Sequence, residues 1–271
     1  MSAGKSGIFS KTELSAVQLA NDQLFVSFLP EVGAKMNSLK SVRSGREFLY
    51  QPPRDPYRRA GYGASFADYD TSGLDECCPT IAECIYPEPG FRGRKMPDHS
   101  LWSAHPLLAV EASCRIVLPE EVSGLLVEWS RGERLVKFGD SCGWPIAACK
   151  DGERVDLSAL RDASARTADK VFTSRLQEGF CVLSYPQTKE TIAFHFNPQD
   201  VPYLGIWICQ GGWPSPEGGH FTVGLEPCTG YPDSLREAIH RGGCDVLRPK
   251  EKKKWALRIE IQSGDSIFAA R

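Results

Sequence analysis

Residues 254–261 read KWALRIEI, in which Leu257, Ile259 and Ile261 fall on one side of an extended chain and Arg258 and Glu260 on the other. That alternation has the period of two of a half-buried β-strand, and no single face of a helix would gather the three apolar residues. Segments of the same kind recur along the chain: QLFVSFL (23–29), EFLYQ (47–51), HPLLAVEASCRIVLP (105–119) and GLLVEWS (124–130). Four more follow, FCVLSYP (180–186), TIAFHF (191–196), YLGIWIC (203–209) and FTVGLEP (221–227). All are rich in β-branched and aromatic residues and are set off by Pro, Gly, Asn and Asp, the punctuation of an all-β chain.

Helical signals are few. DSLREAIHRGG (233–243) carries Ser234 and Glu237 at capping-box spacing, with Gly242 and Gly243 able to end the helix. The polar, Ala-rich stretch 156–169 reads as a short helix or a loop. No repeat or low-complexity linker divides the chain. The expected fold is all-β: one large antiparallel β-sandwich domain spanning 1–271, with one or two short helices.

The 271 residues are 41% hydrophobic and 24% charged, an ordinary globular composition that can bury a substantial core. A formal charge of −2 gives no electrostatic reason to expect nucleic acid or an anionic membrane as partner. The basic runs FRGRKM (91–96) and KEKKKW (250–255) read as solvated loops, although Arg92, Arg94 and Lys95 would suit a phosphate on a ligand. No apolar run approaches the ~18 residues of a membrane span, and the polar start MSAGKSGIFSKTELS lacks a secretion signal, so a cytoplasmic protein is expected. The ten cysteines include no CxxC pair, and Cys77 and Cys78 are adjacent, so they read as reduced, buried small hydrophobes without a metal.

Chemistry-bearing residues are scattered. Of five histidines, His240 lies near the end of the one good helix, where its charge suits the dipole, and His195 and His220 have no special context. Glu226 closes an apolar strand just before Pro227, a position that desolvates a carboxylate and makes it more basic. A structural hydrogen-bond acceptor is the plainer role for such a residue. Trp102, Trp207 or Trp213 could stack on a ligand face or fill the core.

GLDECCPTI (73–81), PDHSLW (97–102), SAHPLLAV (103–110), VPYLGIWICQGGWP (201–214) and VGLEPCTGYPDSL (223–235) together resemble the aldose 1-epimerase, or galactose mutarotase-like, family. PEVGAKMNSL (30–39) and KWALRIEI are similar to its first hairpin and last strand, so the likeness runs through nearly the whole chain. The resemblance implies the mutarotase-like supersandwich with a sugar bound on one sheet, and an isomerase that interconverts α and β anomers without a cofactor. It assigns Glu226 as the base and His105 as the acid, with His99, Asp75 and Trp213 binding the sugar. The alternative is a non-catalytic carbohydrate-binding protein, or a degenerate enzyme, on the same fold. A third option, a sugar hydrolase or lyase, would require a second carboxylate opposite Glu226, nominally Asp75 or Glu76.

One feature departs from the pattern. In the family, several strands separate the two histidine motifs, whereas here His99 and His105 are six residues apart. On a straight strand, at ~3.3 Å per residue, they would stand roughly 20 Å apart, too far for one pyranose to touch both. The chain is therefore expected to be shortened near 99–105: a compact variant would have to bend near Ser103 or Pro106 to bring the histidines together, and otherwise the sandwich is incomplete through a deletion or keeps the cleft without catalysis. Missing strands would also favour an edge-to-edge homodimer.

Overall fold

Alternation decides which side chains each strand commits to the core and which it leaves for function. The computed structural model describes residues 14–51, 57–69, 71–99, 101–136, 138–215 and 219–264; the side chains of 101–105 lie outside that description. In chain order its strands are β1 (Val17–Ala20), β2 (Leu24–Leu29), β3 (Lys35–Ser41), β4 (Leu74–Cys77), β5 (Cys84–Ile85) and β6 (Lys95–Met96). Next come β7 (Leu101–Ala109), β8 (Arg115–Val117), β9 (Gly124–Ser130), β10 (Ser141–Gly143), β11 (Ile146–Ala148) and β12 (Arg154–Asp156). The last are β13 (Thr167–Thr173), β14 (Phe180–Tyr185), β15 (Glu190–Phe196), β16 (Tyr203–Gln210), β17 (Phe221–Cys228) and β18 (Leu257–Ser263). One α-helix, α1 (Leu235–Arg241), is present among the described residues.

Ten strands form the main sheet in the order β1-β2-β3-β4-β7-β17-β16-β13-β9-β10, and four form the second, β18-β15-β14-β8. The core lies between them. Val171 of β13, Leu204, Ile206 and Ile208 of β16, and Val223 and Leu225 of β17 are buried against Ile116, Leu183, Ile192 and Phe194 of the second sheet. Each such aliphatic side chain contributes about 1.5–3 kcal/mol when fully buried. The intervening residues Lys170, Gly205, Trp207, Thr222, Gly224 and Glu226 belong to the opposite face of the main sheet, which is where the site forms. On β18, Leu257, Ile259 and Ile261 pack on the core as the alternation requires.

Several sequence expectations need correction. HPLLAVEASCRIVLP is not one strand: β7 ends at Ala109, a turn follows, and β8 resumes at Arg115 in the second sheet. EFLYQ makes only isolated bridges, Glu47 with Lys40 and Leu49 with Leu108. The stretch 156–169 holds one short 3-10 turn, Ala163–Ala165, and then enters β13. Ser234 sits at the N-cap of α1 without a side-chain capping bond. Thr80 takes over part of that task, its Oγ1 accepting the Leu235 N–H at 3.1 Å. Gly242 does end the helix in the left-handed region, φ 64°.

No helix among the described residues is long and apolar enough to cross a membrane. The ten cysteines carry no disulfide, and seven of them are buried.

Candidate functional site

The floor of the site is written by register. In β16 and β17, Gly205 stands opposite Glu226 and Trp207 opposite Gly224; Lys170 of β13 in turn stands opposite Trp207. The two glycines make room for a carboxylate laid along the sheet. A Cβ on Gly224 would come within 2.8 Å of Glu226 Oε1, and one on Gly205 within 3.2 Å of Oε2. Glu226 is only 1% exposed. Its Oε2 meets Lys170 Nζ in a close ion pair, and the same Nζ stands 3.7 Å from Asp233 Oδ1. Burial pulls the Lys170 pKa down, but the charges of Asp233 and Glu226 outweigh it and hold the group above its ordinary value. Lys170 is thus a fixed cation, and not a nucleophile.

A third carboxyl joins from β9. The β9–β13 ladder shifts register between Lys170 and Val171, pairing Trp129 with Lys170 and Val127 with Val171, so that Glu128 is the extra residue of a bulge. Burial, and then the negative charge of Asp233, push the Glu128 carboxyl up to about 8. At neutral pH it keeps its proton.

Above this floor lies a cavity of about 280 Å³ walled by Trp129, Trp207, Trp213, Phe66, His99 and His220, with Lys170 and Asp233 at its base. The Trp129 and Trp207 rings are 5.7 Å apart, and Trp213 stands edge-on to Trp207 at 5.9 Å. His220 meets Trp213 edge-on at 5.2 Å, its pKa lowered by burial. This volume is just below the ~300 Å³ lower end usual for small-molecule sites, room for one small ring-sized ligand.

His99 is held on three sides. Its ring stacks on Phe66 at 3.8 Å, its N–H donates to Ile81 O at 2.9 Å, and its Nδ1 lies 2.7 Å from Asp98 Oδ1. Burial opposes ionisation of Asp98, but the hydrogen bonds from His99 and the Phe66 N–H outweigh it and hold the carboxyl below its ordinary value. The Asp98 carboxylate thereby fixes the orientation of the imidazole. The backbone at His99 is left-handed, φ 42°.

The structure brings His99, Trp213 and, one layer beneath, Glu226 to a single cleft. Asp75 is not among its lining residues and pairs with Lys35 at 2.7 Å. His105 pairs with Asp75 through its backbone in the β4–β7 ladder, while its side chain, like that of Trp102, lies outside the described residues. The β4–β7 ladder shifts register close to Ser103. Glu76 faces Ala104 but Cys77 faces Leu101, so three steps of β7 are taken up against one step of β4. The main sheet continues without a gap from β4 through β7 to β17. Arg92, Arg94 and Lys95 lie away from the cleft, Arg92 on the Pro87 carbonyl, Arg94 on the Phe91 ring and Lys95 on Glu83.

Sequence reading missed Lys170, Asp233, Glu128, Trp129 and His220. For Lys170 the cause is concrete: TADK opens a strand with charged residues, whose partners come from distant β17 and β9.

No protein-family model and no curated protein matches the chain. Solved structures do. A galactose mutarotase related enzyme from Lactobacillus acidophilus aligns over 92% of this chain and 97% of its own, with a TM-score of 0.57 at 12% identity. The Slr1438 protein of Synechocystis sp. PCC 6803 aligns over 96% and 100%, with a TM-score of 0.56 at 11% identity. A protein of Escherichia coli K12 described as a candidate aldose 1-epimerase aligns over 93% and 100%, with a TM-score of 0.53 at 9% identity. At such identities the likeness is one of fold, and the fold is the large antiparallel sandwich of the galactose mutarotase-like proteins.

Proposed function

We propose that the cleft binds a single aldose ring and exchanges its α and β anomers. The observation that carries this reading is the meeting, in one ring-sized cavity, of aromatic faces, an imidazole oriented by a carboxylate, and an ion-paired carboxylate cluster. The tryptophans offer apolar faces to the sugar's C–H surfaces, and His99 and Trp213 contact the ring. A carboxylate of the Glu226 cluster removes the anomeric hydroxyl proton while an imidazole protonates the ring oxygen; the resemblance gives this acid role to His105. The ring opens, C1 rotates about the C1–C2 bond, and reclosure returns both protons. No covalent intermediate is needed.

A second reading, sugar binding without catalysis, is favoured by one fact: Glu226 is almost fully buried and already paired with Lys170. NMR saturation transfer between α and β signals of glucose, galactose and xylose separates the two. Acceleration by the protein, reduced at least ~10-fold in Glu226→Gln at unchanged melting temperature, supports the enzyme. Binding without acceleration would leave only the second reading.

A further inference from the structure

Asp233 is pinned from behind. Its carbonyl oxygen accepts the Ile81 N–H at 3.0 Å, the Ala82 N–H at 3.1 Å and the Thr80 hydroxyl at 3.0 Å. Its side chain, 16% exposed, borders the cavity. Glu226, the other carboxylate on Lys170, is 1% exposed and does not line the cavity. Of the two carboxylates that share Lys170, the one a bound ring would meet is therefore Asp233.

We propose that Asp233 is the catalytic base of the anomer exchange, and that Glu226 is a positioning residue acting through Lys170. This rests on the anomer-exchange reading above. The anomeric O–H bond breaks and its proton passes to the Asp233 carboxylate. The oxygen's electron pair forms the C1 carbonyl as the bond from C1 to the ring oxygen breaks, and the imidazole acid supplies the ring oxygen's proton. Reclosure reverses every transfer, Lys170 stays an ammonium, and nothing is oxidised or reduced. Glu226 holds the ammonium at the cleft floor, where it fixes the Asp233 side chain and balances its charge. Glu128 is not among the residues that line the cavity, and burial favours its protonated form.

The test compares Asp233→Asn with Glu226→Gln in the same saturation-transfer assay, with sugar affinity followed by tryptophan fluorescence. Asp233→Asn is expected to lower kcat ~10²–10⁴-fold, with affinity within about threefold, and to abolish the acidic limb of the pH–rate profile. Glu226→Gln is expected to lower kcat only about tenfold and to retain that limb. Should Asp233→Asn disturb folding, Asp233→Glu, which keeps the carboxylate, is expected to melt normally and recover at least ~10-fold of the lost rate. Exchange that survives in folded Asp233→Asn but disappears in Glu226→Gln overturns this assignment and leaves the anomer-exchange reading intact. Wild-type protein that accelerates no aldose overturns both.

Discussion

Asp169 and Lys170 are neighbours in β13, and the pleat sends them to opposite faces of one sheet. Asp169, fully buried, is matched acceptor to donor: Ser130 Oγ donates to Oδ1 at 2.7 Å, Arg134 Nε donates to the same oxygen at 3.1 Å, and Arg134 Nη2 meets Oδ2. Lys170 instead sits among Glu226, Asp233 and Glu128 at the edge of a cavity, one cation amid three carboxyl groups. Both clusters are buried ion pairs between distant strands. The inward one spends its hydrogen-bonding capacity on holding β9 to β13. The cleft-side one keeps acidic groups beside a space that a ligand can enter, an arrangement that costs stability and is suited to moving protons.

That contrast can be broken on its structural side. Arg134→Met strands the Asp169 carboxylate in the core and should cost about 3–5 kcal/mol of unfolding free energy in a urea melt. The exchange rate per folded molecule should not change. A lower rate at full folding would mean that the two faces of β13 are coupled and are not separate devices.

A smaller effect tests the cleft side. Gly224→Ala pushes a methyl toward Glu226 Oε1, where only 2.8 Å is available, and should displace the carboxylate from Lys170. An overpacking cost of about 1–3 kcal/mol and a fall in exchange rate of about tenfold are expected. Normal activity would show that the pairing of Glu226 with Lys170 tolerates movement.

The smallest effect is a dependence on pH. Glu128 is raised from its ordinary 4.5 to about 8, so the folded protein holds this proton more tightly than the unfolded chain does. The resulting stability is fully present below pH 4.5 and is lost as pH rises through about 8. Glu128→Gln keeps the shape but removes that titration, so its melting temperature should fall less between pH 5 and pH 9 than the wild type's. Parallel curves for the two proteins would place Glu128 outside the cluster.

The same contrast explains what the sequence discloses. Segments such as YLGIWIC and ALRIEI announce their strands because their inward residues are aliphatic, and hydrophobic burial leaves a local, periodic trace. VGLEPCTGYPDSL likewise marks Glu226 as desolvated from its immediate neighbours. Lys170 and Asp169 leave no such trace. Their burial is made tolerable by side chains 35 to 63 positions away, Arg134, Glu226 and Asp233, and a charged pair in TADKVFT reads locally as solvated loop. His220 escaped for a related reason: its partners Tyr50, Trp213 and Thr71 meet it only once β7, β16 and β17 are side by side. His99 is legible as a residue but its stacking is not, since the Phe66 ring that packs on it comes from a turn 33 positions earlier.

The register shift between β4 and β7 stays local. Leu107, Leu108 and Ala109 keep their pairing with β17 whatever happens on the far side of the irregularity, because the slack opposite Cys77 and Glu76 is taken up before the chain reaches them. The irregularity is thus absorbed within β4 and β7, and the part of the sheet that carries the cleft stays in step beyond it.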